Sequence, residues 1–279
     1  MIPYGFLNGV IITAHEAVEH GKHAAGVADH GGDDLSMHTP NLLSFIFGPE
    51  FAHHYAVTFF ALLIALLMVI AATIVYRRRQ LIPGPFQNVV EMLVEGLYNL
   101  VEPMLGRETD RYIPFIGTLF LYIWFMNLSG IVPFFHAPTS ALNMTLALSI
   151  TVFIYVQFTA VTRMGPAKYL HHLGGEPSSA VTWALVIINF PLHLIGELIK
   201  PFSLAMRLFG NIFGEDTLIA VMISLGVVSL AFLGSPVGIP FQVPFYFLSL
   251  LLGTIQALVF AMLSTSYIMM SLPHEEDEH

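Results

Sequence analysis

Long apolar runs separated by short polar clusters dominate this chain. Tyr55–Tyr76 is almost wholly apolar and stops at the basic cluster Arg77–Arg79. Tyr112–Phe134 and Ala141–Thr162 are two further runs, linked tightly through Pro133, Pro138 and "HAPTS". A spanning helix needs about 20 apolar residues, so each run predicts one crossing. Ala180–Leu233 is longer: about 54 residues, ~80 Å as a helix. It is either two ordinary spans or one strongly tilted helix with bends near Gly210 and Gly214. "GSPVGIP" (Gly234–Pro240) breaks it, and a last run, Val243–Leu272, precedes an acidic tail.

Pro85–Leu105 has a different rhythm. Phe86, Val89, Val90, Leu93, Leu97, Leu100, Val101 and Met104 recur at helical spacing, with Asn88, Glu91, Glu95, Asn99 and Glu102 opposite. The pattern predicts an amphipathic helix lying along a surface. Its apolar face meets either lipid or the rest of the protein, and its three glutamates favour a protein neighbour over anionic lipid.

Composition decides the class. The 279 residues are 56% hydrophobic and 10% charged, whereas soluble domains carry about 25% charged residues. The expected fold is an all-α integral membrane protein of about five transmembrane helices plus the amphipathic helix, the last two membrane helices long and tilted. There is no cysteine, which excludes disulfides and thiol chemistry. The net charge of -9 argues against nucleic acid as a partner. The first residues, "MIPYGFLNGVIITA", lack a basic start and do not read as a cleaved signal peptide.

The basic residues orient the spans. Arg77, Arg78, Arg79, Arg107, Arg111, Arg163 and Lys168 fall in two loops with an even number of spans between them. The positive-inside rule makes that side cytoplasmic and the N-terminus external. With Ala180–Leu233 crossing once, five spans result and the C-terminus is cytoplasmic. The expected organisation is an extracytoplasmic His/Asp-rich segment (1–52), a membrane domain (53–273) and an acidic cytoplasmic tail (274–279). Within the membrane domain lie helix one (53–79), the surface helix (84–105), a hairpin (112–162) and a long tilted hairpin (178–272). No internal repeat of transporter type is evident.

Two cations are left inside the membrane, Lys200 and Arg207. At about 100° per residue, His193, Gly196, Lys200, Ser203, Arg207, Gly210, Asn211 and Gly214 fall within an arc of about 100°. Glu197 and Glu215 flank this stripe, and Asp216 points away from it. The glycines and Ser203 suit close helix packing, and Lys200 can pair with Glu197 or snorkel. Arg207 has no acid one turn away. Left unpaired it costs about 2.5–3.5 kcal/mol, so it needs a carboxylate, on this chain or on another. On the last helix Ser249, Gly253 and Gln256 share a face, and Gln256 can reach the arginine stripe. Its plainer role is an interhelical polar contact.

These residues carry a family resemblance. "KPFSLAMRLFGNIFGED" and "TIQALVFAMLSTSYI" resemble the a subunit (subunit 6) of F-type ATP synthase, as do "PGPFQNVVEMLVEGLYNLV", "IPFIGTLFLYIWFMNLSGIVPF" and "NMTLALSITVFIY". The resemblance covers roughly residues 45–272. It implies a stator subunit of the inner (plasma) membrane whose partners are a ring of c subunits and the b subunits of a peripheral stalk. It implies two offset half-channels, with Arg207 as the essential cation, Asn211 in its motif, Gln256 as its partner, and an acid at Asp216 beside Glu215. It also implies one tilted helix at Ala180–Leu233. Two positions depart from the family pattern: His193 replaces a glutamate found fourteen residues before the arginine, and Ala141 replaces an acid before "NMTL". The outer proton path is therefore expected to draw on His193, Glu197, Glu215 and Asp216 in a different combination. An unperturbed histidine titrates near neutral pH and suits a relay, although His193 is equally a packing histidine.

No G-x-x-x-x-G-K-[ST] loop is present, so neither nucleotide chemistry nor a cofactor is expected. His15, His20, His23, His30 and His38 with their acidic neighbours fit no closed tetrahedral zinc site and read as a solvated segment. The competing functional class is a stand-alone ion-coupled transporter with Arg207 as its site. Co-purification with a c ring and stalk discriminates the two.

Overall fold

Every apolar run forms a helix, because in lipid the backbone can satisfy its own polar groups only within a helix or a closed barrel. The computed structural model describes residues 49–77, 84–132, 135, 137–166, 168–169, 180–231 and 240–272. Among them the helices are α1 (Pro49–Arg77), α2 (Pro85–Leu105), α3 (Thr109–Ser129), α4 (Leu142–Met164), α5 (Ala180–Ala231) and α6 (Val243–Met270). Short 3-10 turns at Gly106–Glu108 and Pro138–Ser140 precede α3 and α4. Five stretches are long and apolar enough to cross a membrane, and the chain is an all-α, multi-pass membrane protein. The His-rich start, Arg78, Arg79, much of the loop after α4, "GSPVGI" and the acidic tail lie outside the described residues.

The long run resolves into one helix. Its 52 residues extend ~78 Å against a hydrocarbon thickness of about 30 Å, so it lies steeply tilted. Pro191 and Pro201 sit inside it. α3 stops earlier than the apolar run suggests, at Ser129, where Gly130, Ile131 and Val132 donate back to Asn127, Leu128 and Ser129 in tight i→i−3 bonds. Gly130 is required there: a Cβ on it would come within 2.9 Å of the Ala137 Cβ.

The core gathers around α6. It packs chiefly on α3 and α5, while α4 packs along α5. Phe260, Ala261, Ala257 and Ile268 of α6 meet Ile116, Ile123 and Met126 of α3, Val152 of α4, and Leu204 and Leu208 of α5. Asn127 ties three elements: its Nδ2 donates to the Gly253 carbonyl (2.9 Å), and its Oδ1 accepts from Thr139 (2.8 Å). Trp124 Nε1 donates to Thr254 Oγ1 at 2.9 Å.

α2 divides its apolar face. Leu97, Val101 and Leu105 are buried against α3 and α6, whereas Phe86, Val89, Met92 and Leu100 stay exposed. A protein neighbour is therefore realised along the Leu97–Val101–Leu105 edge, and the rest of the apolar face is left uncovered by the described residues. α1 leaves Phe59, Leu62, Leu66, Val69 and Ile70 exposed, which suits a helix bathed in lipid.

Candidate functional site

α5 buries one side only. Leu204, Ala205, Leu208 and Ile212 face the core, and the small-polar stripe lies along the edge of that contact. His193, Gly196, Ser203, Arg207, Gly210, Asn211 and Gly214 are all exposed. A Cβ on Gly196, Gly210 or Gly214 would meet nothing within 4 Å. Tight packing inside this chain thus does not account for these glycines. Gly253 of α6 is the contrast: its Cβ would come within 3.2 Å of the Asn127 Cβ, so that glycine serves a contact within the chain.

Arg207 stands at the centre of the open stripe. Among the described residues, no hydrogen bond or ion pair reaches its guanidinium. From another helix, the Tyr267 hydroxyl of α6 lies within electrostatic reach of both Arg207 and Glu197. One turn on, Asn211 Nδ2 donates to Gln256 Oε1 at 2.5 Å. Gln256 is buried, and among the described residues its Nε2 has no hydrogen-bond partner. The expected reach of Gln256 to the arginine stripe is thus made through Asn211. Ser249 is buried beside it on the same face of α6.

Two further polar clusters lie at opposite ends of the site. At one, Lys200 pairs with Glu197, whose other oxygen accepts from Gln157 Nε2 of α4 at 3.1 Å. The Tyr169 hydroxyl donates to Gln157 Oε1. Burial, helped by the nearby Glu197 charge, raises the Tyr169 phenol above its ordinary range. The Lys200 ammonium sits 5.7 Å from the Tyr267 ring centroid, a cation–π contact. The same end of α4 carries Arg163, ion-paired with Glu108 in the turn before α3. At the other end Asp216 turns inward, where the Ser140 side chain hydrogen-bonds it, and Glu215 lies close enough to feel its charge.

The structure thus separates the four groups expected to share one side. Glu197 and Asp216 are nineteen positions apart on one helix, ~28 Å at 1.5 Å per residue. Glu197 joins the Arg163 end and Asp216 joins the Pro138–Ser140 turn. His193 lies one turn beyond Glu197, farther still from Asp216. Sequence spacing measured angles about α5 but not which neighbours meet each level. Gln157, Tyr169, Tyr267 and Ser140 had not been singled out. A lone amide in the apolar "VFIYVQFTAV" of α4 was the available signal for Gln157.

The chain is similar to known proteins along most of its length. The family model described as ATP synthase A chain matches residues 57–269. The chain is 45% identical to "ATP synthase subunit a" of Protochlamydia amoebophila over 82% of its own length and 84% of that protein's. It is 38% identical to the protein of that name in Moorella thermoacetica (69% and 79% covered), and 34% to that in Campylobacter curvus (80% and 93%). With both long tilted helices and the arginine stripe inside the matched region, this chain belongs to the ATP synthase A chain family.

Proposed function

We propose that this chain is the proton-translocating stator subunit of a hetero-oligomeric F-type ATP synthase, non-catalytic in itself. Its α5–α6 stripe works against a ring of c subunits, and b subunits of the peripheral stalk hold it still. Arg207 drives deprotonation of the c-subunit carboxylate. The observation that carries this reading is an arginine that has no hydrogen-bond or ion-pair partner among the described residues, flanked by glycines that leave open space. Such a cation in lipid requires an acid from elsewhere, and the bare glycines admit a second helix closely.

The mechanism follows from fixed charge. A guanidinium keeps its proton at all working pH values and favours the ionised form of a carboxylate brought opposite it, so that acid gives up its proton there. The cation also repels protons, which prevents a direct leak between two half-channels. One half-channel runs by Asp216, Glu215 and Ser140 on the outer side. The other runs by Glu197 and Lys200 toward the cytoplasmic side, with His193 beside it and Ser203 between Lys200 and Arg207. Asn211 and Gln256 hold α5 and α6 together at the level of the arginine. The ring carries each proton nearly a full turn between the two. Every proton moved through 100 mV supplies about 2.3 kcal/mol, which a leak would dissipate as heat.

The domain layout goes with this reading: residues 1–52 outside the membrane, 53–273 within and along it, and 274–279 in the cytoplasm. The test is Arg207→Ala in the assembled synthase. ATP synthesis and ATP-driven proton pumping are expected to fall to background with the complex intact. Synthesis at the normal rate would overturn the assignment.

A further inference from the structure

We propose that Gln157 and Tyr169 are positioning residues for proton transfer, which with Lys200 hold Glu197 as a fixed relay carboxylate between the arginine and the water on the Arg163 side. The inference rests on the half-channel reading above and deepens it.

Each link is a contact between different elements. Tyr169, after the end of α4, donates its hydroxyl proton to Gln157 Oε1. That bond occupies the amide oxygen and leaves the amide NH2 to face α5, where it donates to Glu197 Oε2 at 3.1 Å. Glu197 Oε1 takes the Lys200 ammonium. Both carboxylate oxygens are therefore engaged by donors, one from its own helix and one from α4, which fixes the plane of the carboxylate. A purely structural Lys200–Glu197 pair one turn apart on a single helix would need no second helix. Here α4 sends in an amide whose orientation is itself fixed by a phenol.

The cluster is also placed to conduct. Glu197, Lys200, Ser149 and Tyr267 are the polar groups on a narrow, partly open cleft of about 10 Å³, about the least space that holds a single water. Lys200 is two helical turns, ~10 Å, from Arg207, and the Tyr267 hydroxyl feels both Arg207 and Glu197. The titratable and charged groups that meet or feel Glu197 are Lys200 of its own helix, Tyr169 after α4, and Tyr267 of α6; on its own helix His193 lies one turn before it and Arg207 ~15 Å after it. α4 itself contributes the uncharged Gln157. In the transfer step the rotor acid loses a proton through water, and the Glu197 carboxylate gains it as a new O–H bond. That bond then breaks toward water on the Arg163 side, and the carboxylate is restored with no net change.

The experiment uses membrane vesicles carrying the whole synthase, with subunit abundance measured alongside ATP-driven proton pumping from pH 6 to pH 9. Glu197→Gln is expected to lower pumping at least tenfold. Gln157→Leu is expected to lower it several-fold per assembled complex and to change the shape of its pH profile, because the relay carboxylate loses a donor that holds it in place. Tyr169→Phe, at the membrane edge and a lesser risk to folding, should do the same by less. Combining it with Gln157→Leu should add nothing, since the two act in series. A loss that only tracks subunit abundance, with the pH profile unmoved, would reduce the cluster to a structural clamp and overturn the proposal. Normal pumping in Gln157→Leu and Tyr169→Phe, while Arg207→Ala abolishes coupling, would sink this inference alone. Normal pumping in all three would sink the half-channel reading with it.

Discussion

Gly214 and Gly130 do different work, and the difference is measurable. Gly214 of α5 has open space where a Cβ would go, while Gly130 after α3 would drive a Cβ to 2.9 Å from that of Ala137. Overpacking costs about 1–3 kcal/mol. Gly130→Val should therefore lower subunit abundance and thermal resistance. Gly214→Leu should leave the subunit's abundance near normal and slow the assembled machine, since the added bulk meets only what faces α5 from outside. Purified complexes compared by subunit stoichiometry and turnover will separate the two; equal losses of abundance would show that Gly214 packs within the chain. Arg207→Lys belongs at this scale too. An ammonium can lose its proton when buried, and it lacks the planar fork of guanidinium. Coupled pumping should fall by at least about tenfold in rate, a change of ~1.4 kcal/mol in barrier.

Helix pairs are joined by a few buried polar links rather than by hydrophobicity, which cannot drive association where lipid is equally apolar. Asn127 is the chief one, bonding the α6 backbone at Gly253 and the Thr139 hydroxyl together. Interhelical bonds in membranes average about 0.6 kcal/mol and reach about 1.7. Asn127→Leu removes two, so a destabilisation of about 1–2 kcal/mol is expected, read as a lower midpoint in detergent unfolding. Unchanged resistance would assign the α3–α6 contact to packing alone. α5 is anchored along one edge only, by Leu204, Leu208 and Ile212, and at its ends by the Gln157 and Ser140 contacts. An element so thinly covered for its length is completed by other chains or by lipid.

For the whole molecule, we propose that each of the five long apolar stretches crosses once, which would put the two ends of the chain on opposite sides of the membrane. The absence of native cysteine makes this directly testable, since single cysteines can be introduced without a background. Cysteines replacing Gln80 and Glu276 should be labelled by an impermeant maleimide from the same side, and one replacing His20 from the other. Labelling of Gln80 and Glu276 from opposite sides would require six crossings. Much of the architecture was legible before any coordinates: runs of about 20 apolar residues must be helices in lipid, and the acid-free neighbourhood of Arg207 could be counted. Less legible was how Glu197 and Glu215, coincident on the helical wheel, divide between two ends of the site. A wheel projects away the axial distance that separates them.

What the sequence by itself determined is the list of helices, their burial in a membrane, and the stripe of small and polar residues centred on Arg207. Period and hydropathy are local properties of a chain, and lipid leaves them no alternative fold. Tertiary structure alone decided that α5 is one continuous helix and that the stripe's glycines open outward while Gly253 closes on Asn127. It also decided that Glu197 is met by an amide from α4 forty positions away. Those outcomes depend on which helix lies against which, and that is set by interhelical packing and a handful of buried hydrogen bonds between residues far apart in sequence.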